Sequence, residues 1–474
     1  MKVFPRLALL LLLFCSAVHA QYEERLPVPV ARALKAAALP SSAVAVVVQE
    51  VGSPLPRVSA NATAAMNPAS LMKLLTTYAA LELLGPAYTW KTEAWLQGRL
   101  VDGVLDGDLY LKGGGDPKLT LEQFWLLLRE LRARGLREIR GDLVLDRSLF
   151  ANDETAVIDD QPLRAYNVPP DALLLNFKAV RLRFLPDAEK RTVAVLAEPL
   201  PEPLQIANTL KLGNNGCGDW KENLRMDYSA ASGRLSLAGS YPLSCGEKSM
   251  NLGLLPHPQY VAGVFRSLWP ELGGRITGGL RLAPVPAEAR LYAGIESPSL
   301  AEVIRDINKY SNNVMARQLF LTLGVESARR TGASARPADA ELAIRDWLAQ
   351  KGMSFPELVL DNGSGLSRRE RISAENLSRL LALAWKSPLM PEFLASLPLT
   401  AIDGTMKKRL RQNGVAGQAH IKTGSLEGVK SIAGYVLDRS GRWQMVVFLV
   451  NHANAAAAQT AQDALLQWVY ERGA

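Results

Sequence analysis

The stretch that decides the fold is "MNPASLMKLLTTYAALELLG", Met66 to Gly85. Asn67 is a plausible N-cap, and Pro68 suits a first helical position. Leu71, Leu74, Leu75, Tyr78 and Leu81 recur at helical spacing, which predicts one buried face. Gly85-Pro86 stops the helix. Ser70 and Lys73 stand three apart near its start, so they share a face. A serine in a first turn lies among unpaired backbone N–H groups at the positive end of the helix dipole. Both favour negative charge on its oxygen. A nearby lysine could take the proton if burial or another cation lowers its pKa. Ser-x-x-Lys alone is cheap, although Ser70 is the only serine in the chain with a lysine three places on. Taken by itself the motif reads more readily as an ordinary surface helix with a capping serine and a solvated lysine.

Two further motifs change that. "KYSNNV" holds Ser311-Asn312-Asn313 within a helical region, and "HIKTGSL" holds the chain's only Lys-Thr-Gly, Lys422 to Gly424. The second lies on a predicted strand, where Gly424 would let another backbone approach closely. Ser-x-x-Lys, Ser-x-Asn and Lys-Thr-Gly are the motif set of β-lactamases and penicillin-binding proteins.

Outward from these motifs, Ala43–Val51 predicts a strand before the helix. "SPSLAEVIRDINKYSNNVMARQLFLTLG", "ADAELAIRDWLAQKG" and "AENLSRLLALAWK" predict helices, the last capped by Ser373. "AHIKTGSLEGVKSIAGYVLDRSGRWQMVVFLVN" predicts three strands with a turn at Asp438–Gly441, and a C-terminal helix follows. Between Glu93 and about Ala287 the texture is alternating and turn-rich, with one amphipathic helix at "LEQFWLLLRELRARGL". The expected fold class is α/β, with a large, mostly β insertion forming one or two extra domains. The expected domains are 1–20 as a signal peptide, 21–92 with 288–474 as a discontinuous catalytic domain, and 93–287 as the insert.

At 474 residues, 48% hydrophobic and 21% charged, the chain is globular and long enough for more than one domain. Lys2, Arg6, "LALLLLLFCSAV" and Val18-His19-Ala20 form a secretory leader. Without it the net charge falls from +8 to +6. That is mild for the size and not clustered into a nucleic-acid stripe. Phe14 before Cys15 argues against a lipoprotein. Cys217 and Cys245 remain, and an even pair in an exported chain predicts a disulfide. No His or Cys spacing suggests a zinc site. "KGGGDP" is a turn and not a phosphate loop, and "NGSGLS" fails the nucleophile-elbow pattern at Asn362. His420 shares a strand face with Lys422, so a Ser–His arrangement is a minor alternative.

With its motifs in this order, the chain resembles the low-molecular-mass class C penicillin-binding proteins. These are the D-alanyl-D-alanine carboxypeptidase/endopeptidases of peptidase family S13, the penicillin-binding protein 4 type. The resemblance runs over nearly the whole mature chain and includes "GDLYLKGGGDPKL", "GDLVLDRSLF" and "LDNGSGLSR". Ser311 follows Ser70 by 241 residues, and the family carries large inserted domains there.

The resemblance implies a β-lactamase/DD-peptidase-like catalytic domain and a set of roles. Ser70 would be the nucleophile and Lys73 its base. Ser311 would pass a proton to the leaving amine. Asn313, Lys422 and Thr423 would bind substrate, and the N–H groups of Ser70 and Ser425 would form the oxyanion hole. Asp361 and Ser364 would support the site, and Asp159 or Asp160 would meet the amino group of a stem-peptide diamino acid. It implies no cofactor and no metal. The expected ligands are peptidoglycan stem peptides and β-lactams, with no nucleic acid and at most peripheral membrane association. Export, with the periplasm as destination, is expected. The rivals are a β-lactamase and a non-enzymatic wall-binding or scaffolding protein on the same fold.

Overall fold

A computed structural model describes residues 26–151, 163–330 and 332–471. The expected leader, residues 1–20, and the pair Asp159 and Asp160 lie outside the described residues. The chain divides into two compact units. The first takes the chain up to Tyr88, then Ser299–Gly324 and Pro337 onward; the second takes Thr89–Pro298 and Val325–Arg336.

The first unit is built on a five-stranded antiparallel sheet. In chain order its strands are β1 (Val44–Glu50), β2 (Val58–Ala60), β3 (Ala419–Leu426), β4 (Val429–Leu437) and β5 (Trp443–Asn451). Their spatial order is β3-β4-β5-β1-β2, which leaves the Lys-Thr-Gly strand β3 at an edge. Register pairs Val46 with Phe448 and Lys422 with Ala433. The helices of this unit are α1 (Val28–Ala36), α2 (Met72–Leu84), α3 (Leu300–Tyr310), α4 (from Asn313), α5 (Pro337–Gln350), α6 (Ala374–Lys386), α7 (Met390–Ser396) and α8 (Gln459–Glu471).

The apolar residues of β1, β3, β4 and β5 divide between two faces because side chains alternate along a strand. Val46, Ile421, Ile432 and Phe448 pack with Val30 and Leu34 of α1 and Leu465, Leu466 and Val469 of α8. Across the sheet, Tyr435 Oη donates to the Leu381 carbonyl of α6 at 2.8 Å.

The opening helix differs from its expected form in two ways. Asn67 does not cap it. A 3₁₀ turn, Ala69–Leu71, intervenes, with Ala69 in the left-handed region at φ +46°. The Asn67 Oδ1 instead accepts the Ala69 N–H at 2.8 Å. The helix also has no solvated side over most of its length: every residue from Met72 to Leu81 is buried. Its two threonines are satisfied internally, Thr77 Oγ1 on the Lys73 carbonyl and Thr76 Oγ1 on the Gly363 carbonyl. The expected C-terminal stop holds, with Gly85 at φ +82°.

The second unit carries a seven-stranded mixed sheet that includes Lys91–Val101, Val104–Gly113 and Arg290–Glu296. Two smaller groupings, of four and three strands, complete its β structure. The amphipathic helix Leu121–Ala133 is capped by Thr120. A second helix, His257–Glu271, was illegible in a stretch dominated by breakers: it starts after Pro256, contains Pro270 and has Gly263 in its middle. Gly263 is required there, since a Cβ would lie 2.2 Å from the Glu202 carbonyl oxygen. Cys217 and Cys245 form a disulfide. Replacing both by serine is expected to lower the stability of this unit by roughly 3–4 kcal/mol, measured by chemical denaturation, because the bridge closes a loop of this length.

Candidate active site

Three segments of the first unit converge on Ser70. The first is the turn that carries it. Asn67 N–H donates to Asn451 Oδ1 at 2.8 Å, and Asn451 Nδ2 returns a bond to the Asn67 carbonyl at 2.9 Å. Ser431 Oγ of β4 donates to the Pro68 carbonyl at 2.7 Å. The turn is thereby fixed to the sheet at Asn67 and Pro68, the two residues before Ala69. Asn451→Ala removes one of these clamps and leaves buried backbone groups of Asn67 without their partner. It is expected to lower stability by about 1–3 kcal/mol, read as a shift of the denaturation midpoint.

The edge strand β3 is the second segment. A Cβ on Gly424 would lie 2.2 Å from Ser431 Oγ, 2.8 Å from the Pro68 carbonyl oxygen and 3.1 Å from Ser70 N. The glycine expected to permit a close backbone approach does so, and the partner is the turn that carries Ser70. Lys422 is fully buried, and its Nζ donates to Ser311 Oγ at 2.8 Å and to the Thr423 carbonyl at 2.9 Å. Thr423 Oγ1 donates to Thr405 Oγ1 at 2.9 Å, and Lys430 Nζ donates to the exposed Ser425 Oγ at 3.0 Å.

The third segment is the break between α3 and α4. A continuous helix was expected here. Ser311 instead adopts left-handed geometry, φ +54°, and ends α3. That break turns Ser311 Oγ toward Lys422 and lets Asn313, the first residue of α4, reach Lys73.

Lys73 joins all of this. It is fully buried, and Nζ contacts Ser70 Oγ at 3.1 Å, Asn313 Oδ1 at 2.6 Å and, in a short contact, the Ser364 carbonyl. Burial pulls its pKa down from 10.5 to about 7, opposed by the charge of Glu370. Lys422 is also held well below its ordinary value, by burial first and then by the neighbouring charge of Lys73.

Asp361 and Ser364 act in ways their residue types did not announce. Ser364 contributes its backbone carbonyl; its hydroxyl donates back to Asn362 Oδ1 at 2.6 Å. Asp361 accepts from Ser367 Oγ at 2.6 Å and pairs with Arg369. The loop packs on the Ser70 turn through Gly365, whose Cβ would lie 1.8 Å from the Ala69 carbonyl oxygen. His420 has no place in the hydrogen bonding of Ser70. Its ring lies near Lys309 and Asp403, and its pKa is lowered by burial.

Sequence reasoning missed Asn67 and Asn451 as a pair, Thr405, and Glu370. No motif marks them, and their roles rest on contacts between segments up to 384 residues apart. Lys309 was missed as well; it is nearly buried and pairs with Asp403 at 2.7 Å.

A serine and a lysine one turn apart, a second Ser–Lys contact and a Lys-Thr-Gly edge strand in one place make up the motif set of the penicillin-interacting serine enzymes. The chain belongs to the D-Ala-D-Ala carboxypeptidase 3 (S13) family, whose model matches residues 27–472. It is 30% identical over 420 residues to a D-alanyl-D-alanine carboxypeptidase of Actinomadura sp. (strain R39), covering 84% of this chain and 76% of that one. It is 25% identical over 399 residues to the D-alanyl-D-alanine carboxypeptidase DacB of Haemophilus influenzae, covering 82% and 81%. The fold is similar to the crystal structure of penicillin binding protein 4 (dacB) from Haemophilus influenzae. That match has a TM-score of 0.79 and 23% identity, and covers 94% of this chain and all of that one.

Proposed function

We propose that the protein is an exported serine DD-peptidase that cleaves D-Ala-containing peptide bonds of peptidoglycan through an acyl-enzyme on Ser70. Family membership supports the reaction class. The observation that carries the mechanism is the surround of Lys73 Nζ. A neutral amine has two N–H donors and one lone pair. Asn313 Oδ1 and the Ser364 carbonyl are acceptors only, so they take the two protons. The lone pair is then left to accept the Ser70 O–H, 3.1 Å away.

Ser70 Oγ attacks the D-Ala carbonyl as its proton passes to Lys73. The N–H groups of Ser70 and Ser425 stabilise the tetrahedral oxyanion. Ser311 relays to the departing amine the proton that Lys73 took from Ser70, which returns Lys73 to its neutral form, and Lys422 holds Ser311 in place. Asn313 Nδ2 and Thr423 contact the substrate. Because Lys422 Nζ is buried and committed to Ser311 and its own strand, it acts on the substrate carboxylate through potential and not by direct contact. Water then hydrolyses the ester. The acidic pair Asp159 and Asp160 is assigned to the amino group of a stem-peptide diamino acid. Unchanged turnover of amine-bearing peptides in the double alanine variant would remove that assignment. Among the described residues no helix is long and apolar enough to cross a membrane.

Release of D-alanine from a D-Ala-D-Ala peptide tests the activity. The protein is expected to turn the peptide over and Ser70→Ala is not. Rapid penicillin hydrolysis without peptide turnover would point to a β-lactamase, and neither activity in a folded protein to a scaffold. The base must be unprotonated, so acylation is expected to fall as pH drops through about 7, the value to which burial brings Lys73. Stopped-flow acylation across pH 5 to 9 measures it, and a flat profile across pH 7 would contradict the role of Lys73.

A further inference from the structure

The described residues include one buried acid beside the site that the mechanism above does not use. Glu370 is fully buried. Its Oε1 gathers the backbone N–H groups of Gly363 at 2.9 Å, Asn362 at 3.1 Å and Asp361 at 3.4 Å. Its Oε2 has no hydrogen-bond partner. The loop it gathers is the one pinned to the nucleophile helix. The Gly363 carbonyl accepts Thr76 Oγ1 at 2.7 Å, the Ser364 carbonyl takes Lys73 Nζ, and Gly365 lies against Ala69 and Ser70.

Resting on the mechanism proposed above, we propose that Glu370 is a positioning residue for Lys73: it holds the Ser364 carbonyl on Nζ and acts on the lysine through its buried charge. A loop needing only an N–H acceptor could be served by a neutral amide. A buried carboxylate costs several kcal/mol of desolvation unless its charge is used or paired. Burial pushes the Glu370 carboxyl up to about 6, while the three N–H bonds favour its ionised form. It is therefore mostly ionised at pH 7. The charged groups facing it are Lys73, Arg317, Asp361 and Arg369. Lys73 itself also faces Lys422. Burial alone would leave Lys73 a weaker base than it is; the negative charge of Glu370 restores part of its proton affinity. That places the base near neutral pH, where general-base catalysis is most effective.

Glu370→Gln tests this, because it keeps an acceptor for the three N–H groups and removes only the charge. The readout is the pH profile of Ser70 acylation by a fluorescent penicillin, with folding checked by circular dichroism. The acid limb is expected to move to lower pH by about one unit, since loss of a nearby opposite charge lowers the lysine pKa. Glu370→Asp keeps the charge and should leave the limb in place. An unmoved limb in folded Glu370→Gln overturns the proposal, even if the rate falls, because a purely structural residue would lower the rate at every pH alike. Should Gln not fold, Glu370→Ser is read in the same way. Failure of both uncharged variants to fold also overturns the proposal, since the carboxylate is then structural. Absence of a Ser70 adduct in the unsubstituted protein would strike the proposed function instead, and so is a distinguishable result.

Discussion

Lys73→Ala is expected to slow acylation of Ser70 by about 10²–10⁴-fold while the protein remains folded. The size follows from what the side chain does. Its Nζ meets Ser70 Oγ and is held there by Asn313 and the Ser364 carbonyl, so its removal takes away the base in hydrogen-bond contact with the serine. Loss of a fully buried amine, whose desolvation opposes folding in its charged form, compensates part of the cavity left by its methylenes. Lys73→Arg sharpens the result. Arginine keeps a cation but does not deprotonate in proteins. If positive charge alone activated Ser70, Lys73→Arg would keep much of its rate; the general-base account expects it to be as slow as alanine.

Gly365→Ala is expected to be nearly as damaging, through geometry alone. Gly365 sits at φ +79°, and its added Cβ would lie 1.8 Å from the Ala69 carbonyl oxygen and 2.7 Å from Ser70 N. These are backbone atoms, and Ala69 is itself left-handed and fixed to the sheet through its neighbours. The loop must therefore move away from the nucleophile turn and take the Ser364 carbonyl off Lys73. A displacement of about 1 Å at reacting groups costs on the order of 10²-fold in rate. The expectation is at least that loss in acylation rate together with a lower melting temperature. A folded variant with unchanged kinetics would show that the loop does not position the lysine.

The catalytic framework was legible because it is local and periodic. The apolar runs of β1 and of β3 to β5 and the helical spacing in α2 and α6 declare themselves within a few residues, and the three motifs do so once taken together. The helix break at Ser311 was not legible. "KYSNNVMARQ" contains no glycine or proline, and a non-glycine residue at φ +54° is set by tertiary contact and not by local propensity. The 3₁₀ turn before α2 escaped for the same reason: Asn67-Pro68 is a good helix start, and the backbone leading into Ala69 is held by bonds of Asn67 to Asn451 and of Ser431 to the Pro68 carbonyl, from the far end of the chain. Glu370 lies in "SRRERIS", which has the composition of a solvated loop. Only the fold shows that one of its four charges points inward. His257–Glu271 was hidden by its prolines, two of which sit at the helix start, where they are tolerated.

The central claim is that Ser70 is the nucleophile of an acyl-enzyme. Its most direct test is to incubate the mature protein with a fluorescent penicillin, digest it and locate the label by mass spectrometry, with Ser70→Ala alongside. The account expects a lasting penicilloyl adduct on the peptide containing Ser70 and none in the variant. A label on another residue, or equal labelling of the variant, would contradict it.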